Sequence, residues 1–235
     1  MSEPEITCEK AGCCGLITLN RPKALNALTL HMVRQMAGAL NRWERDPGVT
    51  RVIITGAGGK AFCAGGDIRI LYDLGKAGRN AEQLSFWREE YHLNRRIKLY
   101  PKPYVALADG IVMGGGAGIS VHGSHVIAGE HFTFAMPETG IGFFPDVGAT
   151  FFLPRLPGYT GRYLALTGMR MTCGDALAFG VAFAHVPSVR HAGLVQRLIG
   201  GEDIEAAIAA EKVPPPVSAL DQQRQSIERC FSAST

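Results

Sequence analysis

Hydrophobic and polar positions follow two different periods along the first two thirds of the chain. The runs "CCGLITLN" and "RVIITGA" are short, rich in β-branched residues and bounded by turn residues, which predicts strands. The segment between them, "ALTLHMVRQMAGALNRWERD", has apolar residues at helical spacing. "PYVALADGIV" predicts a third strand, "GGAGISVHGS" a short helix of small residues, and "HVIAGE" a further strand. This order predicts an alternating α/β fold.

The last third of the chain has a helical pattern. It begins at "GYTGRYLALTGMRMTCGDALAFG" and ends, after the linker-like "VPPPVS", in the amphipathic segment "ALDQQRQSIERCF". We therefore predict a core over residues 1–190 and a C-terminal helical segment over residues 191–235. The apolar face of the last helix must pack on the domain or on another chain.

Composition and charge indicate which kinds of molecule the protein could bind. The 235 residues, 46% hydrophobic and 19% charged, suffice for one domain of ordinary core size. The net charge of +3 comes from basic residues spread along the chain, and a nucleic-acid-binding protein would concentrate them in a stripe. No apolar run approaches the roughly 18 residues of a membrane span. We expect no nucleic-acid or membrane partner.

The N-terminal "MSEPEITCEK" has neither an apolar signal core nor an arginine-rich transit pattern. We expect a cytoplasmic protein, or one of the mitochondrial matrix if a transit peptide has been removed. The six cysteines show no paired metal-ligand spacing and are expected to be reduced thiols.

The glycine clusters are the first candidates for chemistry. "GKAFCAGGDIR" is not a P-loop, because Lys60 is followed by Ala61 where a magnesium-binding Ser or Thr is required. Gly65 and Gly66 precede a helix start at "DIRILYDL", and "GGG" at residues 114–116 opens the next helix. Two free N–H groups converging on one oxygen would form an oxyanion hole. Close packing of helix on strand explains such clusters equally well.

Other reactive residue types carry weaker signals. His122 and His125 in "HGSH" lack a third ligand motif, so we predict no metal site. Cys63 lies beside the glycine loop, but no base is placed near it in the sequence, and a small buried side chain is the better interpretation. The aromatic pairs "GFF" and "TFF" are predicted to be core, with one or two rings walling a pocket; they comprise Phe143, Phe144, Phe151 and Phe152.

Four motifs in order, "RPKALNAL", "GKAFCAGGDI", "ADGIVMGGGAGI" and "FAMPETGIGFFPDVGATFFLPRL", resemble the crotonase, or enoyl-CoA hydratase/isomerase, superfamily over about residues 16–184. The resemblance implies a spiral of repeated ββα units followed by C-terminal helices. It also implies that the N–H groups of Gly66 and Gly115 hold an acyl-CoA thioester oxygen. Coenzyme A would be part of the substrate, with no separate cofactor.

The same resemblance implies a CoA-binding surface. Ala64 and Gly66 would face the adenine, with Gly114 beside them, and Arg69 would approach the CoA phosphates. The pantetheine and adenine side would be lined by Arg21, Lys23 and Ala24. For the three basic residues, ordinary solvated surface charge is the alternative.

The carboxylates indicate the branch of the superfamily. Hydratases use two glutamates, and here the first position is Gly118 while the second is Glu138, so the hydratase pair is broken. "MPETGIGFFPDVG", with Glu138 and Asp146, resembles the 3-hydroxyisobutyryl-CoA hydrolases, in which the equivalent pair is catalytic. Glu138 would be nucleophile or general base, and Asp146 would orient the substrate hydroxyl or the water. "FWREEYHLN" implies a substrate contact by Glu90, for which a solvated helix-surface acid is the alternative.

Three functions remain open at this stage. The first is hydrolysis of a short β-hydroxyacyl-CoA, 3-hydroxyisobutyryl-CoA above all; the second is enoyl-CoA isomerase or hydratase-like activity with Glu138 alone. The third is acyl-CoA binding with weak catalysis, since the hydrolases that the chain resembles continue with further helices after the "RCFSA" segment and the C-terminal segment here is incomplete by comparison. Superfamily members are often trimers or hexamers, so a homo-oligomer is also open.

Overall fold

The computed structural model describes residues 3–233. Ten strands and ten α-helices lie within these residues, and 3-10 turns join several of them. The strands are β1 (Ile6–Ala11), β2 (Cys14–Leu19), β3 (Arg51–Gly56), β4 (Ala61–Cys63), β5 (Tyr104–Ala108), β6 (Ile111–Met113), β7 (His125–Ala128), β8 (Thr133–Ala135), β9 (Met171–Thr172) and β10 (Ala184–His185). The helices are α1 (Leu30–Arg45), α2 (Ile68–Lys76), α3 (Asn80–Lys98), α4 (Gly115–Gly118), α5 (Ala149–Phe152), α6 (Thr160–Thr167), α7 (Cys173–Ala178), α8 (Ser188–Ile199), α9 (Ile204–Glu211) and α10 (Arg224–Phe231).

Two sheets organise the fold. The larger has the order β1-β2-β3-β5-β7-β10 and the smaller β4-β6-β8-β9. All neighbouring strands are parallel except the β1–β2 and β8–β9 pairs. Successive strand pairs, β3 with β4, β5 with β6 and β7 with β8, each place the first strand in the large sheet and the second in the small one. The predicted α/β spiral of repeated ββα units followed by C-terminal helices is confirmed.

Both faces of the large sheet are buried, which explains the continuous apolar runs of its strands. One face packs against α1, whose N-cap Thr29 accepts a hydrogen bond from the Met32 amide. The other packs against α8 and α9. Alternate residues of one strand therefore enter different cores: Val52 contributes to the first core and Ile53 to the second.

The prediction of a single strand in "PYVALADGIV" is wrong. Strand β5 belongs to the large sheet and β6 to the small one, and the chain changes sheets at Asp109–Gly110. Gly110 has φ +73°, a left-handed conformation that only glycine adopts without strain, and this turn separates the two strands. Strand β1 was not predicted, because it lies at the sheet edge, where only Ile6 of its side chains is buried.

The last helix packs back on the domain. Ile227 of α10 is buried, and the Phe231 ring lies 5.4 Å from that of Tyr163 on α6. The division into residues 1–190 and 191–235 stays a prediction; α8 runs through that position. None of the helices within residues 3–233 is both long and apolar enough to cross a membrane.

Glycine at position 116 allows α4 to approach β4, and alanine there should destabilise the protein. An added Cβ would overlap the carbonyl oxygen of Cys63 and lie 2.9 Å from its carbon. We expect Gly116→Ala to lower the free energy of unfolding by about 1–3 kcal/mol. Gly38 of α1 is the matched control: its nearest neighbour would be the Arg42 Nη1 atom at 3.5 Å, so Gly38→Ala should stabilise by about 0.5–1 kcal/mol. Urea unfolding of both variants measures the two effects; destabilisation by both would contradict the argument.

Candidate active site

The first backbone donor is held in the loop between β4 and α2. Gly65 has φ +114° and turns the chain, and its carbonyl accepts from the Leu28 N–H at 2.8 Å. The N–H of Asp67 donates to the Leu28 carbonyl at 2.9 Å, and the Asp67 side chain caps α2 at Ile70. Within the described part of the chain, the Gly66 N–H donates to no backbone oxygen. Gly66 therefore presents a free donor between two fixed neighbours.

The second donor lies at the start of α4. Gly115 is the first helical residue, so its N–H has no acceptor within the helix. A Cβ added to Gly115 would lie 3.1 Å from the Gly66 nitrogen, which shows how closely the two segments approach. Gly114 before it has φ +48°. The structure thus brings together the two glycines predicted to form an oxyanion hole.

Two buried glutamates border these glycines. Glu138 lies in the 3-10 turn Glu138–Ile141 and is 7% exposed, while Glu90 on α3 is 2% exposed. A Cβ on Gly114 would lie 3.0 Å from Glu138 Oε1, and one on Gly115 would overlap Glu90 Oε1. Among residues 3–233, Glu90 Oε1 and Glu138 Oε2 have no hydrogen-bond partner. The interpretation of Glu90 as a solvated surface acid is therefore wrong.

Asp146 completes a group of three carboxyls. Its Oδ2 accepts a hydrogen bond from the Tyr91 hydroxyl at 2.7 Å. The next residue, Val147, has φ +43°, and its carbonyl lies 2.7 Å from His122 Nε2. The His122 contact holds the backbone of the loop, and the Tyr91 hydroxyl holds the Asp146 carboxylate. Tyr91 was missed from the sequence, although it directly follows Glu90 on the same helix.

Burial raises the pKa of all three carboxyls. The pKa of Glu90 rises from its ordinary value of 4.5 to about 8, through burial and then through the charges of Asp146 and Glu138. Burial raises the pKa of Glu138 to about 7, with a further contribution from Asp146. The pKa of Asp146 is also raised by burial, against the opposing hydrogen bond from Tyr91. Near neutral pH, the site therefore holds neutral and ionised acids together.

These groups line one cavity of about 540 Å³. Its described lining contains no Lys, Arg or His, so the hydrogen-bond donors available beside the carboxyls include the backbone amides of Gly66 and Gly115. The Trp87 and Phe143 rings stack at 6.2 Å along the wall. The lining consists of Ala64, Gly65, Gly66, Ile68, Leu71, Tyr72, Gln83, Phe86, Trp87, Glu90, Gly114, Gly115, Pro137, Glu138, Gly140, Ile141, Gly142, Phe143 and Asp146.

The prediction that the four phenylalanines are core, with one or two walling a pocket, is wrong for Phe144 and Phe151. Phe143, Phe144 and Phe151 are 36%, 57% and 46% exposed, and only Phe152 packs against the core. Phe143 instead lines the cavity, as predicted for one or two of these rings. Aromatic residues in a proline- and glycine-rich loop can wall a pocket without entering the interior.

The predicted CoA-binding residues divide into two groups. Ala64, Gly66 and Gly114 line the cavity. The other four lie outside its lining. Lys23 and Arg69 are exposed, Ala24 is half-buried, and Arg21 pairs with two acids of the chain itself. Contact of these four residues with CoA stays a prediction.

The structure also shows the environment of the Cys63 thiol and of Gly118, the position of the first hydratase glutamate. Cys63 is fully buried, and burial raises the pKa of its thiol to about 12, which disfavours the thiolate needed for nucleophilic attack. A Cβ on Gly118 would lie 2.7 Å from both Asn94 Nδ2 and Val147 Cβ. A side chain at the position of the first hydratase glutamate would therefore have to displace Asn94 and Val147.

Comparison with known proteins shows the family to which the chain belongs. The profile of the Enoyl-CoA hydratase/isomerase family matches residues 14–235. The chain belongs to the enoyl-CoA hydratase/isomerase family. The structure of a family member titled carnitinyl-CoA dehydratase, from Mycobacterium thermoresistibile, superposes with a TM-score of 0.94 at 44% identity, covering 99% of this chain and 68% of that one.

Curated relatives in the family carry a more specific name. The chain is 57% identical over 85% of its length to a 3-hydroxyisobutyryl-CoA hydrolase, mitochondrial, of Xenopus tropicalis. It is 49% identical over 98% of its length to the protein of that name from Rattus norvegicus. The chain spans 51% of the length of the first relative and 62% of the second.

The buried Glu90 carboxyl should make stability depend on pH. Because its pKa is raised to about 8, the folded state binds more protons than the unfolded chain between about pH 4.5 and 8, and stability falls as pH rises through this window. We expect Glu90→Gln to leave the free energy of unfolding near pH 4.5 little changed and to raise it near pH 8, by a few kcal/mol in order of magnitude.

Denaturant unfolding at both pH values tests this, with Glu89→Gln as the control. The pKa of Glu89 is lowered by its hydrogen bond with Arg34, so removing that carboxylate should give no gain at high pH. Equal effects of Glu90→Gln at both pH values would show that Glu90 ionises freely in the folded protein.

Proposed function

We propose that the chain hydrolyses a short β-hydroxyacyl-CoA thioester, with 3-hydroxyisobutyryl-CoA as the preferred substrate. The observation that carries the proposal is the shared cavity: Glu138, Asp146 and Glu90 surround the free amides of Gly66 and Gly115. The names of the curated relatives support the choice of acyl group. Coenzyme A enters as part of the substrate, and no other cofactor is proposed.

In the proposed reaction, the thioester carbonyl oxygen accepts hydrogen bonds from the Gly66 and Gly115 amides, which stabilise the negative charge that develops on it. Ionised Glu138 either attacks the carbonyl carbon or removes a proton from the water that does. In the general-base route, Glu138 takes a proton from water, the resulting hydroxide forms the carbon–oxygen bond, the carbon–sulfur bond breaks, and the proton passes to the departing CoA thiolate. In the nucleophilic route, the Glu138 carboxylate forms a mixed anhydride as the carbon–sulfur bond breaks; water then hydrolyses the anhydride, which restores the Glu138 carboxylate, and a proton of that water converts the CoA thiolate to the thiol. Both routes require Glu138 in its charged form.

The other two carboxyls have complementary parts in this proposal. Asp146, held by Tyr91, orients the water or the substrate hydroxyl. Glu90 is largely neutral below about pH 8, so it has an O–H to donate and adds little repulsion as charge develops on the carbonyl oxygen. Assembly into a trimer or hexamer, and a cytoplasmic or mitochondrial location, stay predictions.

A second candidate is a reaction at a carbon–carbon double bond, isomerisation or hydration, that uses Glu138 alone. The favouring observation is the high similarity to a structure titled carnitinyl-CoA dehydratase. Against hydration stands the absence of the first glutamate: position 118 is glycine, and a side chain there would have to displace Asn94 and Val147. Such a reaction leaves the thioester intact, so product analysis separates it from hydrolysis; binding without either product would indicate the weakly catalytic acyl-CoA-binding protein.

Thiol release from 3-hydroxyisobutyryl-CoA tests the proposal directly. We expect the wild-type chain to release free CoA and both Glu138→Gln and Asp146→Asn to lower kcat by about 10²-fold or more. Glu89→Gln, next to the site on α3, should retain wild-type kcat. A folded chain that binds the thioester without releasing thiol would refute hydrolysis, and a shifted or hydrated double bond with crotonyl-type substrates would support the second candidate.

The pH profile of hydrolysis should report Glu138. Since Glu138 must be ionised and its pKa is raised to about 7, kcat should rise with pH through about pH 7, and it should fall again above about pH 8 as Glu90 loses the proton that it donates. The ordinary carboxyl value of 4.5 would instead place the rising limb below pH 5. Steady-state rates between pH 5 and 9, on substrate stable over the assay, distinguish the two; a flat profile across neutral pH would contradict the proposed role.

A further inference from the structure

Arg21 is enclosed in a network that belongs to the chain itself. Its Nη2 lies 3.0 Å from Asp67 Oδ2, its Nε lies 3.1 Å from Glu5 Oε1, and its Nη1 donates to the Ala27 carbonyl at 2.6 Å. The Arg21 side chain is 18% exposed and that of Asp67 16%. All three guanidinium nitrogens therefore have a partner within the protein, and little of the group is exposed for the predicted contact with the pantetheine and adenine side of CoA.

Two of these partners, Asp67 and Ala27, belong to the segments that hold the Gly66 amide in place. Asp67 directly follows Gly66, and Ala27 directly precedes Leu28, which hydrogen-bonds on both sides of Gly66 through Gly65 and Asp67. Arg21 therefore links the segment at residues 27–28 to the start of α2. Glu5 is itself held in place by the Thr29 hydroxyl at 2.9 Å.

The loop needs such an anchor because of its composition. Gly65 and Gly66 have no side chains that could pack and fix their orientation, and glycine has the widest backbone freedom of any residue. The direction of the Gly66 N–H is thus set by hydrogen bonds and by the position of Asp67. An oxyanion donor must lie within hydrogen-bond range of the oxygen, and a misplacement of about 1 Å costs about 10²-fold in rate.

We propose that Arg21 is a positioning residue for catalysis: through Asp67 and the Ala27 carbonyl, it holds the Gly66 amide in the orientation that receives the thioester oxygen. This replaces the predicted contact of Arg21 with CoA. The inference rests on the proposed function, because it requires that the oxygen bound by the Gly66 amide belongs to an acyl-CoA thioester.

Kinetics of Arg21→Gln in the complete chain give the first test. We expect kcat for 3-hydroxyisobutyryl-CoA to fall by about tenfold or more, while KM and the calorimetric Kd for free CoA change less than about threefold. Arg21→Lys, which can still pair with Asp67, should recover part of the loss. A Kd for CoA weakened by about tenfold with kcat unchanged would make Arg21 a CoA ligand and overturn the proposal.

Arg197→Gln is the matched control for loss of a bridging arginine. Arg197 pairs with Glu202 and Glu211, outside the cavity lining, and should leave kcat unchanged. Asp67→Asn should reproduce the Arg21→Gln loss, and the double variant should lose no more than either single variant, because both act on one element. Losses that multiply in the double variant would refute action through Asp67.

A spectroscopic measurement separates this inference from the proposed function. In a Glu138→Gln background, infrared difference spectra of bound 3-hydroxyisobutyryl-CoA report the thioester carbonyl stretch, which hydrogen bonds shift to lower frequency. We expect Arg21→Gln to move the band back toward that of the free thioester, whether or not the wild-type chain hydrolyses it. A lowered band that is identical with Arg21 and with Gln at this position would refute the positioning role, even if hydrolysis is found.

Discussion

The site depends on the contact between the first turn of α4 and the end of β4. Gly116 lies so close to the Cys63 carbonyl that no side chain fits between them. This approach carries the Gly115 amide to within reach of the Gly66 amide, which the loop after Cys63 presents. The small residues of the two motifs therefore allow the close backbone packing that also brings the two amide donors together. The two interpretations of the glycine clusters, close packing and the proposed oxyanion hole, are compatible, since the amides can converge only because the backbones touch.

The electrostatics of the cavity follow from that arrangement. Three carboxyls face a described lining without a cationic side chain, and two of them, Glu90 and Glu138, are almost fully buried. Ionising all of them would be costly, and their raised pKa values reflect this cost. The pKa of Glu138, near 7, leaves it partly ionised at neutral pH, while that of Glu90 leaves it mostly protonated. A base and a neutral hydrogen-bond donor can thus coexist close to a developing oxyanion.

Local patterns in the sequence predict most of the strands and helices and, through motif resemblance, the glycines and carboxyls that the cavity brings together. They do not predict features that depend on distant partners. "PYVALADGIV" reads as one apolar run, yet it crosses between sheets at Gly110. The exposure of Phe143 depends on the conformation of its loop. The proposed role of Arg21 depends on its pairing with Glu5 and Asp67, two residues that are far apart in the sequence. A basic residue in a binding motif suggests a ligand contact until its partners within the chain are known.

The surroundings of Gly118 support the proposal of hydrolysis over hydration. In the hydratases that the chain resembles, a pair of glutamates positions water for addition to a double bond. Here one of the two positions is filled by Asn94 and Val147 from neighbouring elements, so a glutamate could not be accommodated without displacing them. The proposed second acid is Asp146, one residue before Val147, in a loop held by the contact between His122 and the Val147 carbonyl. In this proposal, the loop whose Val147 occupies the space at Gly118 also supplies the second carboxylate.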